Sequence, residues 1–203
     1  MDRHAPPNQN TIFGVFCMNA KKIGIQFLAL LFILALSACA GKSSTTSKKE
    51  LRDNARSSLE SLYASIPEAK ELRKRSVAIL VFPDIIKAGL FIGGSGGNGV
   101  LFSPDGRISG YYNVAAASFG LQAGAQDYSQ ALFLTTQEAL NYLDSSDGWS
   151  LGVGPTVVLI DQGAAQDLST TTGRSDVYAF IYGQQGLMGG INVEGQKITK
   201  LKP

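Results

Sequence analysis

The chain has 203 residues, 44% of them hydrophobic, and a formal net charge of +2. That size and apolar content suit one globular domain with a real core, and the balance excludes the strongly basic domain that nucleic acid usually selects. The single histidine, His4, and both cysteines, Cys17 and Cys39, lie in a leader region, so the rest of the chain has no Ser-His-Asp or Cys-His mechanism, no disulfide, and none of the commonest zinc ligand.

The leader reads as an export signal. A start at Met18 gives a positive n-region with Lys21 and Lys22, then an apolar run Ile23–Leu36. That run is shorter than the ~20 residues needed to cross a bilayer. It ends in Leu36-Ser37-Ala38-Cys39, which resembles the lipobox of bacterial lipoproteins, where the cysteine is acylated and becomes the new N-terminus. The alternative is an uncleaved short anchor with an incidental cysteine. Position, small residues and n-region together favour lipidation of Cys39, with acyl chains of the palmitate class. Ala40 in place of Asp suggests the outer membrane. The expected organisation is therefore a leader and signal peptide over 1–38, a lipidated tether over 39–47, and one domain over 48–203.

Gly41-Lys42-Ser43 imitates the end of a P-loop, but no strand precedes it and Leu36 occupies the required glycine position. Charge is unevenly spread beyond it: Ala40–Lys87 holds ten bases against six acids, and Ala88–Pro203 five against nine. A basic leading segment of this kind is compatible with an anionic membrane surface.

Ser47 and Glu50 form a capping box opening a helix. Leu51, Ala55, Leu59 and Leu62 then recur at helical spacing, with Lys48, Arg52 and Arg56 in a row beside them. A second capping box, Ser65 to Glu68, opens a short helix ending Leu72-Arg73-Lys74-Arg75. Both helices are expected to pack on a sheet. Their bases are either solvated, which spacing alone favours, or a membrane-facing patch worth about 1 kcal/mol per base near an anionic surface.

Ser76–Phe82 is a continuous apolar run bounded by Pro83 and predicts a buried strand. Gly89–Gly124 is rich in glycine, which no helix would keep at about 1 kcal/mol per residue. Glycine in strands marks bends and close approach, so this stretch predicts a tightly curved sheet. Within it Gly99–Phe102 and Arg107–Tyr112 read as strands joined by a Pro104-Asp105-Gly106 turn. Gly94–Gly99 fits G-x-G-x-x-G, but strand residues follow where the dinucleotide fingerprint needs a helix. Val114–Ala125 continues as strand, with Phe119 and Leu121 expected inward, and Ala131–Leu134 is a further strand. Thr135 or Thr136 caps a helix over Gln137–Leu143, closed by the turn Asp144–Gly148. That turn lacks the twelve-residue ligand pattern of a calcium loop. Trp149–Asp161 reads as one long bent strand, Gln162–Arg174 as loop, and Asp176–Gly183, Leu187–Val193 and Lys197–Leu201 as the last strands, with a turn at Glu194-Gly195.

The predicted class is α+β: a strongly curved, glycine-rich, mainly antiparallel sheet or barrel-like core, closed or nearly so, with N-terminal helices and one short inserted helix. Ala78–Pro83 followed by Gly89–Gly99, then Tyr111-Tyr112, Gly120–Gly124, Leu132–Thr136, Asp147-Gly148-Trp149 and Gly186–Gly190 together resemble the SYLF domain, also called the Ysc84 actin-binding domain, in its bacterial lipoprotein form. The resemblance spans about Leu51 to Leu201. It implies phospholipid binding, of anionic lipids in particular, partly through the N-terminal helical region. Some fungal members bundle actin, which a bacterial periplasmic lipoprotein does not meet. Eukaryotic members often carry a Trp and a Pro after the hairpin turn, where this chain has Ser109-Gly110-Tyr111-Tyr112.

Carried onto this sequence, the lipid-contacting candidates are Lys48, Lys49, Arg52, Arg56, Lys70, Arg73, Lys74 and Arg75. The expected function is a non-enzymatic, membrane-anchored lipoprotein that binds anionic phospholipid, with no cofactor or metal, in the bacterial cell envelope. The alternative is a structural or protein-interaction lipoprotein without lipid recognition. Asp127, Glu138 and Asp176 do not sit in a recognisable catalytic setting.

Overall fold

The computed structural model describes residues 47–145, 148–150, 154–161 and 175–202. The leader, Cys39, the tether as far as Thr46, Asp147 and the loop Gln162–Arg174 lie outside the described residues. Residues Thr46–Pro203 form a compact unit of their own that contains both core clusters. No described helix is long and apolar enough to cross a membrane.

Helix α1 (Lys48–Ser65) begins where expected: Ser47 accepts a hydrogen bond from the Glu50 amide at 3.1 Å. Its buried residues are Leu51, Ala55, Leu59 and Leu62, with Tyr63 added. Helix α2 (Pro67–Arg73) departs from the second capping box. Ile66 sits at its N-cap, while the Ser65 hydroxyl donates backwards to the Ser61 and Leu62 carbonyls, finishing α1.

Strand β1 (Ala78–Phe102) and strand β2 (Ile108–Leu134) are far longer than the sequence suggested. β1 does not stop at Pro83: a bulge between Phe82 and Ile85 carries it through, and among the described residues β1 pairs with β2 alone. Proline is tolerated there because an edge strand has one side with no ladder to donate to. The Pro104–Gly106 turn joins the two strands as predicted, with Gly106 at φ +81°. The strands expected at Val114–Ala125 and Ala131–Leu134 are one strand. So are the last three, fused into β5 (Val177–Lys200), with no turn at Glu194-Gly195. Helix α3 (Gln137–Asp144) is capped by the Thr136 hydroxyl. The long strand expected at Trp149–Asp161 is instead two: β3 (Trp149–Ser150), antiparallel to β5, and β4 (Val157–Asp161), parallel to it. The order is β1-β2-β5-β3, with β4 on β5.

This ribbon curls back on itself into a half-barrel. A straight interval of thirteen residues would span about 43 Å, yet a Cβ on Gly97 would collide with the Asp84 carbonyl, and one on Gly99 would lie 2.8 Å from the Val81 carbonyl. The fold-over centres on Phe91. There Leu90 pairs with Ala123 and Ile92 with Phe119, so one residue of β1 opposes three of β2. The halves on either side of the bend meet at the base. One core cluster lies within the curl (Leu80, Phe82, Leu101, Tyr112, Leu132 and Trp149 among it). The second lies under α1 and α2, on Ile79, Val81, Phe102, Phe133 and Phe180.

The bend overturns the inward placement of Phe119 and Leu121, which are 61% and 73% exposed. Their neighbours Ser118 and Gln122 are the buried ones, hydrogen-bonded to each other at 2.8 Å. Alternation along a strand then forces residues 119 and 121 to the outer face.

Candidate functional site

Packing α1 and α2 on the base of the ribbon opens a cleft of about 320 Å³ beside the β1–β2 turn. Its floor is apolar, from Leu59, Ile79 and Phe102, and its walls carry Arg56, Glu60 and Arg73. Arg56 comes from the exposed side of α1, one position past buried Ala55 and one turn before Leu59. Arg73 is the last residue of α2 and reaches toward the turn, its guanidinium 4.0 Å from where a Cβ on Gly106 would lie. Neither arginine is in an ion pair among the described residues. Two guanidiniums against one carboxylate leave the mouth with a net positive charge over an apolar floor. Such a site suits an anionic group joined to hydrocarbon.

Tyr63 borders the cleft. Burial raises its phenol above the ordinary range; nearby Arg73 pulls it down and Glu60 pushes it up. Its hydroxyl is buried without a hydrogen-bond partner of good geometry. On the far side of α1, Tyr182 is pushed up to about 12 by burial, although the Ser58 hydroxyl 2.7 Å away acts against the shift.

The other predicted bases do not converge. Lys48 places its ammonium 5.4 Å from the Tyr111 ring centroid, and Lys49 pairs with Asp53 at 3.3 Å. Arg52 keeps its Nε buried and unpartnered. Lys70 is exposed on α2, and Lys74 is held by Glu71 at 2.7 Å. Arg75 lines a separate cleft of about 220 Å³ with Thr135, Thr136, Ser175, Asp176 and Tyr178. There the Asp176 carboxylate accepts hydrogen bonds from the Thr156 amide and hydroxyl and from the Thr136 hydroxyl, which hold it below the usual carboxylate range. That ring of bonds ties β4 to the start of β5 and leaves Asp176 a structural part.

Sequence reasoning also missed the tip of the ribbon. Leu90, Phe91, Ile92, Phe119, Leu121 and Leu187 all stand exposed there, Leu187 by 88%. Phe91 is the only non-glycine residue at positive φ among those described, at 63°.

A family model described as Ysc84, Las17-binding protein actin regulator, matches residues 115–202. Residues 115–202 are thus similar to this family. No curated protein matches the chain. The matched segment runs from the middle of β2 through α3, β3 and β4 to the end of β5. It holds Phe119, Leu121 and Leu187 of the tip, whereas Arg56 and Arg73 lie on elements before it.

Proposed function

We propose that this is a lipid-anchored, non-enzymatic lipoprotein of the bacterial cell envelope whose domain binds anionic phospholipid. Cys39 carries the acyl chains, which contribute about 0.8 kcal/mol per buried CH₂ and so hold the chain on the membrane durably. The observation that carries the headgroup assignment is the base cleft, where Arg56 and Arg73 converge over Leu59, Ile79 and Phe102. A phosphate there meets two cationic forks, and the glycerol or first methylenes of a lipid lie against the floor. The Las17 and actin named in the family description are cytoskeletal partners, and the export signal with its lipobox argues for the lipid side of the family.

Of the eight bases expected from sequence, Arg56 and Arg73 have the geometry for the role. The test is vesicle flotation of the chain from residue 40 onward, wild type beside Arg56→Ala/Arg73→Ala. With phosphatidylglycerol vesicles at low salt the double variant should bind about tenfold more weakly and lose most of its salt dependence. Equal flotation of the two proteins would remove the cleft from lipid recognition.

A further inference from the structure

The tip of the ribbon lies at the opposite end of the domain from the base cleft, eleven residues along β1 from Ile79 to Leu90. It is made of three strands whose nearest charges flank it: Lys87 and Asp127 on one side, and Glu194, which pairs with Ser118 next to Phe119, on the other. No Asp, Glu, Lys or Arg occurs over 88–104, 108–126 or 177–193. Large apolar side chains are spread across all three: Leu90 and Ile92 on β1, Phe119 and Leu121 on β2, Leu187 on β5. A soluble surface does not normally group exposed apolar residues in this way.

We propose that this tip is a membrane-penetrating element that enters the headgroup–acyl boundary of a phospholipid bilayer. Three observations select a bilayer over a protein. No charged residue stands among the exposed apolar ones, which is what hydrocarbon demands, and the polar and charged residues Gln185, Lys87 and Asp127 begin at their edge, where headgroups would lie. The side chains stand exposed at a bend, which a fluid phase envelops without a complementary groove. The bilayer is also within reach. Seven residues lie between Cys39 and Ser47, a span of at most about 28 Å whatever their conformation. The ammonium of Lys48, next in the chain, lies on Tyr111, eight residues along β2 from Phe119, or about 26 Å. This last point rests on the anchorage proposed above; the tip itself does not depend on the arginine cleft.

The fold limits the depth. At the bend residues 120–122 of β2 pair with β5 but not with β1, and β1 has no second neighbour among the described residues, so the free backbone groups need water or headgroups. Insertion is therefore interfacial, about 5–10 Å. Phe91 supports the same assignment, because a bulky residue at φ 63° is strained and this one is 62% exposed.

The test uses the chain from residue 40, which contains no cysteine and keeps the whole core, with Leu121→Cys carrying an environment-sensitive fluorophore. Phosphatidylcholine and phosphatidylglycerol vesicles should both shift its emission to the blue. Leu187→Ser in the same labelled protein should weaken the response about tenfold, while Arg56→Ala/Arg73→Ala should leave the phosphatidylcholine response unchanged. Flotation with phosphatidylglycerol vesicles without any emission shift would overturn the tip and leave the basic cleft standing. A shift that appears without vesicles and grows with protein concentration would assign the tip to a second copy of the chain instead. No shift and no flotation would also overturn it.

Discussion

The base and the tip of this domain are made from the same three strands, yet they obey different rules. At the base, α1, α2 and α3 cover the sheet, and Leu80, Phe82, Phe133, Phe180 and Trp149 are wholly buried. At the tip no described element covers the outer face of the sheet, and the residues of comparable size stand exposed. The strands alternate identically in both places; what differs is whether a second layer faces them. A β-branched or aromatic residue in these strands is thus a core residue only where a helix, or the other half of the curl, stands opposite.

The contrast can be broken most severely at the base. Phe133→Ala removes a ring packed on Phe180 at 5.3 Å and on Tyr63 at 6.4 Å, and should cost about 3–5 kcal/mol. Leu121→Ser at the tip should change stability by no more than about 0.5 kcal/mol. Urea unfolding followed by the buried Trp149 reads both. Glycines sharpen the comparison. Gly99→Ala drives a Cβ to 2.5 Å from the Phe82 ring and 2.8 Å from the Val81 carbonyl, for an expected loss of about 1–3 kcal/mol. Gly189→Ala at the tip meets nothing within 4 Å and should be close to neutral.

Smaller effects probe charge and strain. At the base the Asp144 carboxylate accepts hydrogen bonds from Tyr112 at 2.6 Å and Lys200 at 2.7 Å. Burial alone would raise its pKa, but these two donors outweigh it and hold it below the usual carboxylate range. The folded value lies below the unfolded one, so the stabilisation is present above about pH 4 and is lost as pH falls through the folded value. Asp144→Asn should therefore flatten the acid side of a plot of urea midpoint against pH; an unchanged acid limb would show the pair to be inert. At the tip, Phe91→Gly should raise stability by about 1 kcal/mol, because glycine carries no penalty at positive φ, while weakening vesicle binding. A variant that gains stability and loses binding separates function from folding at one residue.

Much of the base was legible in the sequence. The stripe Leu51, Ala55, Leu59 and Leu62 follows from helical spacing alone, and the Pro104–Gly106 turn from the chemistry of its residues. Strand lengths were not legible. Pro83 and the glycines read as ends, because local sequence does not show that a bulge or a bend lets an edge strand continue. Phe119 and Leu121 read as core because their apolar character is local and the missing second layer is not. Arg56 and Arg73 were two bases among eight until the docking of α2 beside the β1–β2 turn brought them to one cleft.

The central proposal is that the folded domain recognises phospholipid independently of the acylation proposed for Cys39. Flotation of the chain from residue 40, with phosphatidylcholine and phosphatidylglycerol vesicles at low and physiological salt, tests it most directly. The account predicts binding to both, stronger and salt-sensitive on the anionic vesicles. Failure to float with either at low salt would contradict it, and would leave the lipid at Cys39 as the domain's sole hold on the membrane.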